Sequence, residues 1–387
     1  VDDVRIPIEV KEDVWIILSR LVDYPDPDTA DDGSLNGDDP YLVMINTTRG
    51  TALNALISYG LWIAKSMENY KDANKRMDPR LRTLLNKKLD TKNETSPSVR
   101  FVFGQRIANL SYLDKEWLYS VKNQIFPSEK EQKLYWLAAF QGFLIHSQVY
   151  LPLVVWLGDL YATAIEYATE LDVSNSKNNN LLIRFFPQHI MIAYAHGALS
   201  FEIIKDFFSS VDVKLREDAI SFTSRALLIN DEILDSDGKE RLLRLWEFLV
   251  NDTNQASQIF GHFAGWYTAP ALQHDAKLVL LEKTLAKTIG CIEDAENVIH
   301  SFMTEKNNNP LLVAKLTSLI LKNDKSRWLI TIKSDLIKDL LESLINLKQQ
   351  EITDVVKDLL NDFYKRGYWN QYQDLKKLIY CPPIAQN

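Results

Sequence analysis

The run "DYPDPDTADDGSLNGDDP", Asp23 to Pro40, places seven aspartates in eighteen residues. Carboxylates recurring along a loop are what a hard cation such as calcium needs. From Asp28 the run fits a calcium loop in part, with Asp28 at position 1, Asp32 at 5, Gly33 at 6, Asn36 at 9 and Asp39 at 12. Ala30 occupies position 3, where an oxygen ligand is required, and Asp39 is shorter than the bidentate glutamate expected at position 12. Asp39 also precedes Pro40, an arrangement that caps a helix, and Pro25 and Pro27 interrupt the helix that should lead into such a loop. The run therefore reads as an acidic connector after a short first helix, Glu12–Val22, and no metal ligand is assigned.

The other chemistry-bearing residues do not converge. Histidine occurs at 146, 189, 196, 262, 274 and 300. His189 and His196 share a helix face, but two turns separate them by ~10 Å along the axis, too far for one zinc ion. They read as packed or hydrogen-bonded histidines. No GxxxxGK[ST], HExxH or GxSxG stretch is present, so the spacings those chemistries need are missing. Cys291 and Cys381 lie far apart with no CxxC pair, which fits a reducing cytoplasm. No catalytic residue is assigned and no cofactor is expected.

Arg49 and Arg100 lie among apolar residues, where a guanidinium fork suits carbonyls and helix caps on neighbouring helices. Trp117, Trp136, Trp156, Trp246, Trp266 and Tyr267 read mostly as core, with some aromatics left to line a binding surface. The one basic stretch of note, Asn74 to Lys88, reads as the solvated face of a helix. With a net charge of −8, it makes a nucleic-acid grip the weakest of the binding alternatives.

The elements that must position these residues are helical. Glycine is scarce, 13 in 387 residues, which disfavours a turn-rich β fold. Leu53, Leu56, Ile57, Gly60, Leu61 and Ala64 follow helical spacing, as do Leu242, Leu245, Trp246 and Leu249, and Ile352 through Phe363. Asp39-Pro40, Asp78-Pro79 and Ser96-Pro97 mark helix starts; Ser128 with Glu131 and Asp237 with Glu240 read as capping boxes. The strand-like "RWLITI", Arg327 to Ile332, reads as the start of a helix, and "YKRGYWNQYQ", Tyr364 to Gln373, as a capping turn. No stretch reaches the ~20 apolar residues of a membrane helix. About seventeen helices, mostly of 12–20 residues, are expected by the 3.6 period. The fold class expected is all-α, an irregular α-solenoid of stacked helix pairs, HEAT- or TPR-like, with a period of ~40 residues. The expected divisions are 1–38, a leading helix and acidic connector; 39–303, the main array; and 304–387, C-terminal repeats, with polar breaks at 172–180, 304–310 and 322–327. The chain begins with Val and is expected to be part of a longer protein.

Four segments in order, "INTTRGTALNALISYGLW" from Ile45, "SPSVRFVFGQRIANLSYLDKEW" from Ser96, "IFP" from Ile125 and "RLLRLWEF" from Arg241, resemble the C-terminal helical-repeat sensor region of bacterial STAND-type, NLR-like antiviral NTPases. Asn46, Arg49 and Gly50 match the first motif; Pro97, Val99, Arg100, Gly104, Leu113, Asp114 and Trp117 match the second. The resemblance spans residues 12–290 and weakens beyond. It implies a cytoplasmic, non-catalytic sensor that binds a phage structural or packaging protein. Binding would be passed to an NTPase and effector outside this chain, with oligomerisation of the intact protein on activation. The motif residues would be scaffold, and no contact residue is implied. A general protein-binding scaffold unrelated to defence and a nucleic-acid-binding helical repeat are the alternatives.

Overall fold

Helix starts are set by local chemistry. The structure is a computed structural model that describes residues 7–36, 38–66, 76–145, 149–171, 173, 180–272, 276–368 and 370–380. Among these residues it is helical throughout, with 23 α-helices, short 3-10 turns, one π-turn and no strand. No helix among them is long and apolar enough to cross a membrane. Contacts divide the chain into two units, 1–189 and 190–387.

The first unit begins with α1 (Lys11–Leu21), α2 (Pro40–Asn46) and α3 (Thr48–Ser66), then α4 (Pro79–Leu89) and α5 (Pro97–Gln105). Asp39 and Asp78 cap their helices by accepting from Tyr41 N at 2.9 Å and Arg80 N at 2.8 Å, each with proline in the first turn. Ser96 precedes α5 but does not cap it; its Oγ pairs with Ser98 Oγ at 2.7 Å instead. The chain continues as α6 (Ile107–Leu113), α7 (Lys115–Ser120), α8 (Lys122–Ile125) and α9 (Lys133–Leu144). Non-helical backbone at Arg106, Asp114 and Val121 chops what the apolar spacing joins into longer helices. These three breaks account for about half of the excess over the seventeen helices expected. Ser128 and Glu131 form no capping box: a 3-10 turn at Lys130–Gln132 intervenes, without a side-chain cap.

The closest helix crossing is α5 on α9. A Cβ on Gly104 would fall on the carbonyl of Ala139, and one on Gly142 on the carbonyl of Phe101, both well inside 3.0 Å. Two facing glycines thus let the backbones touch. Helices α10 (Leu151–Trp156), α11 (Leu160–Thr169) and α12 (Leu181–Ala195) follow, and the unit boundary falls within α12.

The second unit holds α13 (Phe201–Ser210), α14 (Val213–Phe222), α15 (Ser236–Asn251), α16 (Ala264–Thr268), α17 (Lys277–Thr288) and α18 (Ala295–Glu305). It ends with α19 (Pro310–Lys322), α20 (Trp328–Ile332), α21 (Ser334–Ile345), α22 (Gln350–Lys365) and α23 (Gln373–Tyr380). The cap of α15 is Asp235, accepting from Gly238 N at 2.7 Å, two residues before the expected Asp237. The core is aromatic: Trp246 stacks on Phe263 at 5.2 Å, with Trp266 edge-on to Phe263. Both buried indoles are satisfied, Trp246 Nε1 donating to Thr284 Oγ1 and Trp266 Nε1 to the Ile220 carbonyl, each at 2.9 Å. Helix α22 ends in a Schellman motif at Gly367, φ 91°, with Tyr368 N bonded to Phe363 O and Gly367 N to Tyr364 O. The predicted capping turn there is real, and "RWLITI" supplies α20.

Candidate protein-binding site

Most of the motif residues lie in the interior of the first unit. Arg49 donates to Glu94 Oε1 at 2.7 Å and to the Pro27 carbonyl. Glu94, buried, also receives Lys88 Nζ at 2.8 Å, and Lys88 reaches Asp23 at 3.1 Å. Arg100, only 1% exposed, donates to the Leu89 carbonyl at 2.9 Å and to that of Gln124. These carbonyls lie at the C-terminal ends of α4 and α8, where unsatisfied acceptors favour a cation. Burial lowers the pKa of Arg100 to about 10, still high enough to keep it charged at neutral pH. Asp114 caps α7 by accepting from Trp117 N at 2.9 Å and also pairs with Arg82. Trp117 Nε1 donates to Asn86 at 2.8 Å. Gly50 sits against the backbone of Met44, Gly104 makes the crossing described above, and Pro97, Val99 and Leu113 are core. Asn46 alone is exposed, its amide folded back on the Leu42 carbonyl at 2.9 Å.

Four of the seven aspartates of the opening run accept from backbone and hydroxyl donors. Asp28 accepts from Ala30 N and Asp31 N, Asp32 from Ser34, Asp39 from Tyr41 N, and Asp26 from Thr48 N at 2.7 Å and Thr48 Oγ1 at 2.6 Å. Asp23 pairs with Lys87 and Lys88. These are the bonds of an ordered connector. Among the described residues no group of three or more His, Cys, Asp or Glu could hold a metal ion.

His189 is buried, its Nδ1 2.7 Å from Tyr161 Oη and its ring edge-on to Phe143 at 5.0 Å. Burial lowers its pKa to about 3. His196 is exposed. His146, His274, Cys381, Asn74 and Lys75 lie outside the described residues, as do most of 172–180. The basic stretch on α4 is more than a solvated face. Arg80 pairs with Asp78 and Glu12, Arg82 with Asp114, Lys87 with Asp23, and Lys88 with Glu94. Four of its cations, Arg80, Arg82, Lys87 and Lys88, thus already face carboxylates.

A different surface stands out in the second unit. Trp328 is 52% exposed and Ile332, one turn along α20, is 60% exposed. Between them in sequence, Leu329 and Ile330 are buried and anchor the helix. Beside Trp328 opens a cavity of about 570 Å³, lined by Ile292, Ile320, Leu329 and Trp328 among others, with Cys291 at its wall. Ile289, 67% exposed, adjoins it through Gly290. The backbone around it is unusual. Ile289, Asp294 and Arg327 all have positive φ, 53°, 51° and 62°, which is costly for a β-branched residue such as isoleucine. Asp324 fastens the loop, taking Arg327 N and Leu329 N at 3.0 Å each and the Ser326 hydroxyl at 2.5 Å. Lys333 pairs with Glu296 at 2.7 Å on the same rim. A half-exposed indole beside a hollow of mixed lining, where Ile292, Ile320 and Leu329 meet Asp294, Glu296 and Lys325, on fastened backbone, is suited to contact a side chain of another protein.

Sequence reasoning did not single out this surface. The available signal was "WLITI" itself: four of its five residues are large and apolar, more than one packing face can bury.

The chain matches no family model, no curated protein and no solved structure.

Proposed function

We propose that this chain is a protein-recognition module, an irregular α-solenoid of stacked helix pairs that acts by binding rather than by chemistry. The observation that carries this reading is the Trp328 surface: exposed Trp328, Ile332 and Ile289 beside a 570 Å³ hollow, on a loop held by Asp324. Aromatic anchors of this kind supply most of the free energy at protein interfaces.

The partner class of this reading comes from the resemblance of Ile45–Trp62 and Ser96–Trp117 to STAND sensor regions. On this reading the module is cytoplasmic and binds a phage structural or packaging protein. It passes the event to an NTPase and effector outside this chain, with oligomerisation on activation. The interior placement of Arg49, Arg100 and Gly104 supports a scaffold role for the matched motifs, leaving contact to other residues.

The test is capture from phage-infected cells with this chain as bait, read by mass spectrometry. The reading predicts one dominant phage protein retained at high salt. Nucleic acid released by salt, or host proteins alone, would sink the defence reading.

A further inference from the structure

A second cavity in the 190–387 unit, of about 940 Å³, lies between the end of α16, the start of α17 and the end of α18. Two groups in its wall are incompletely partnered. Tyr267 is 4% exposed, yet its hydroxyl has no hydrogen-bond partner among the described residues. Buried polar groups are nearly always paired, and an unpaired one calls for an explanation. Lys277, half-buried, extends over the Tyr267 ring at 5.5 Å from its centroid. Among the described residues its ammonium donates to one acceptor, the Ala269 carbonyl, at a long 3.3 Å. No carboxylate of the described residues is in ion-pair contact with it; Glu305, across the cavity, acts on it only through space. A cation drawn partly out of water gains from a counter-charge. Ser301, Thr304, His300 and Asn308 add further polar groups to the wall.

We propose that this cavity is a binding site for a small oxyanion-bearing molecule, a carboxylate or phosphate, whose anionic end is received by the Lys277 ammonium and the Tyr267 hydroxyl. An oxyanion supplies the acceptors both donors lack, in a cavity of the size that small-molecule sites occupy. The site is separate from the Trp328 surface and stands whether or not that surface binds a protein.

Burial lowers the pKa of Lys277 to about 8, so its amine is more often neutral near that pH than an ordinary lysine's. This makes acylation a direct probe. The full chain is treated with sulfo-NHS acetate near pH 8, and each lysine's rate is read by peptide mass spectrometry. Inorganic phosphate, succinate or chloride is present at matched ionic strength. At an anion concentration about ten times Kd, acylation of Lys277 slows about tenfold while other lysines do not change. Protection by phosphate alone identifies a phosphorylated ligand, and by succinate alone a carboxylate. Tyr267→Phe removes only an unpartnered hydroxyl, so the fold is retained, and the protection weakens several-fold. Equal rates in chloride and in both oxyanions would overturn the proposal, as would protection that Tyr267→Phe leaves unchanged.

Discussion

At the scale of single residues, the first unit holds a buried carboxylate, Glu94, shared by two cations. Glu94 accepts from both Arg49 and Lys88, so neutralising it leaves Arg49 without a carboxylate and Lys88 with Asp23 alone. Removing one partner of such a buried group typically costs ~3–5 kcal/mol. Glu94→Gln, which keeps the shape, is expected to lose about 3 kcal/mol by urea denaturation. His189 gives a prediction in pH. Its folded pKa is about 3, below the ordinary 6.5, because the buried ring resists charge. Below pH 6.5 the unfolded chain takes up a proton that the folded chain refuses, so stability falls as pH falls towards 3. Between pH 7 and pH 5 this residue removes about 2 kcal/mol, a loss that His189→Gln should lack in parallel denaturation curves. Arg49 and Arg100 were legible in the sequence as arginines among apolar residues. Glu94 was not, because its segment "LDTKNETSPS" reads as an exposed polar turn and only the fold buries it.

Among elements, two glycines make different demands. Gly104 has no room for a methyl group, because the α9 backbone occupies the space. Overpacking costs ~1–3 kcal/mol where neighbours can yield. Backbone cannot, so Gly104→Ala is expected to lose about 3 kcal/mol or more, read as a lowered urea midpoint. Gly367 has nothing within 4 Å but a φ of 91°. Gly367→Ala therefore loses only about 1 kcal/mol, through strain alone. Asp324 belongs at this scale as well, since it holds the loop that presents α20. Asp324→Ala should cost about 1 kcal/mol of stability and weaken capture of the partner without touching an aromatic contact. Caps at Asp39 and Asp78 were readable because Asp-Pro sets the helix start by itself. The start of α15 was not, since Asp235 and Asp237 offer the same carboxylate two residues apart.

For the whole molecule, the all-helical class follows from scarce glycine and sustained 3.6-residue spacing, and the structure has it. The number of helices does not follow, because breaks at Arg106, Asp114 and Val121 barely disturb the period. The Trp328 surface was hidden for a related reason: spacing says which residues share a face, while only packing says which face is left uncovered. The central claim is that binding runs through that surface. Its most direct test is side-by-side capture from phage-infected cells with the native chain and Trp328→Ala. Each is then titrated against the captured protein. Trp328 is half exposed, so its removal should leave the thermal melt within about 1 kcal/mol of native. The variant is expected to lose the dominant phage protein, with affinity falling about thirtyfold, as for a hot-spot residue of ~2 kcal/mol. Equal capture and equal affinity in a folded variant would contradict it.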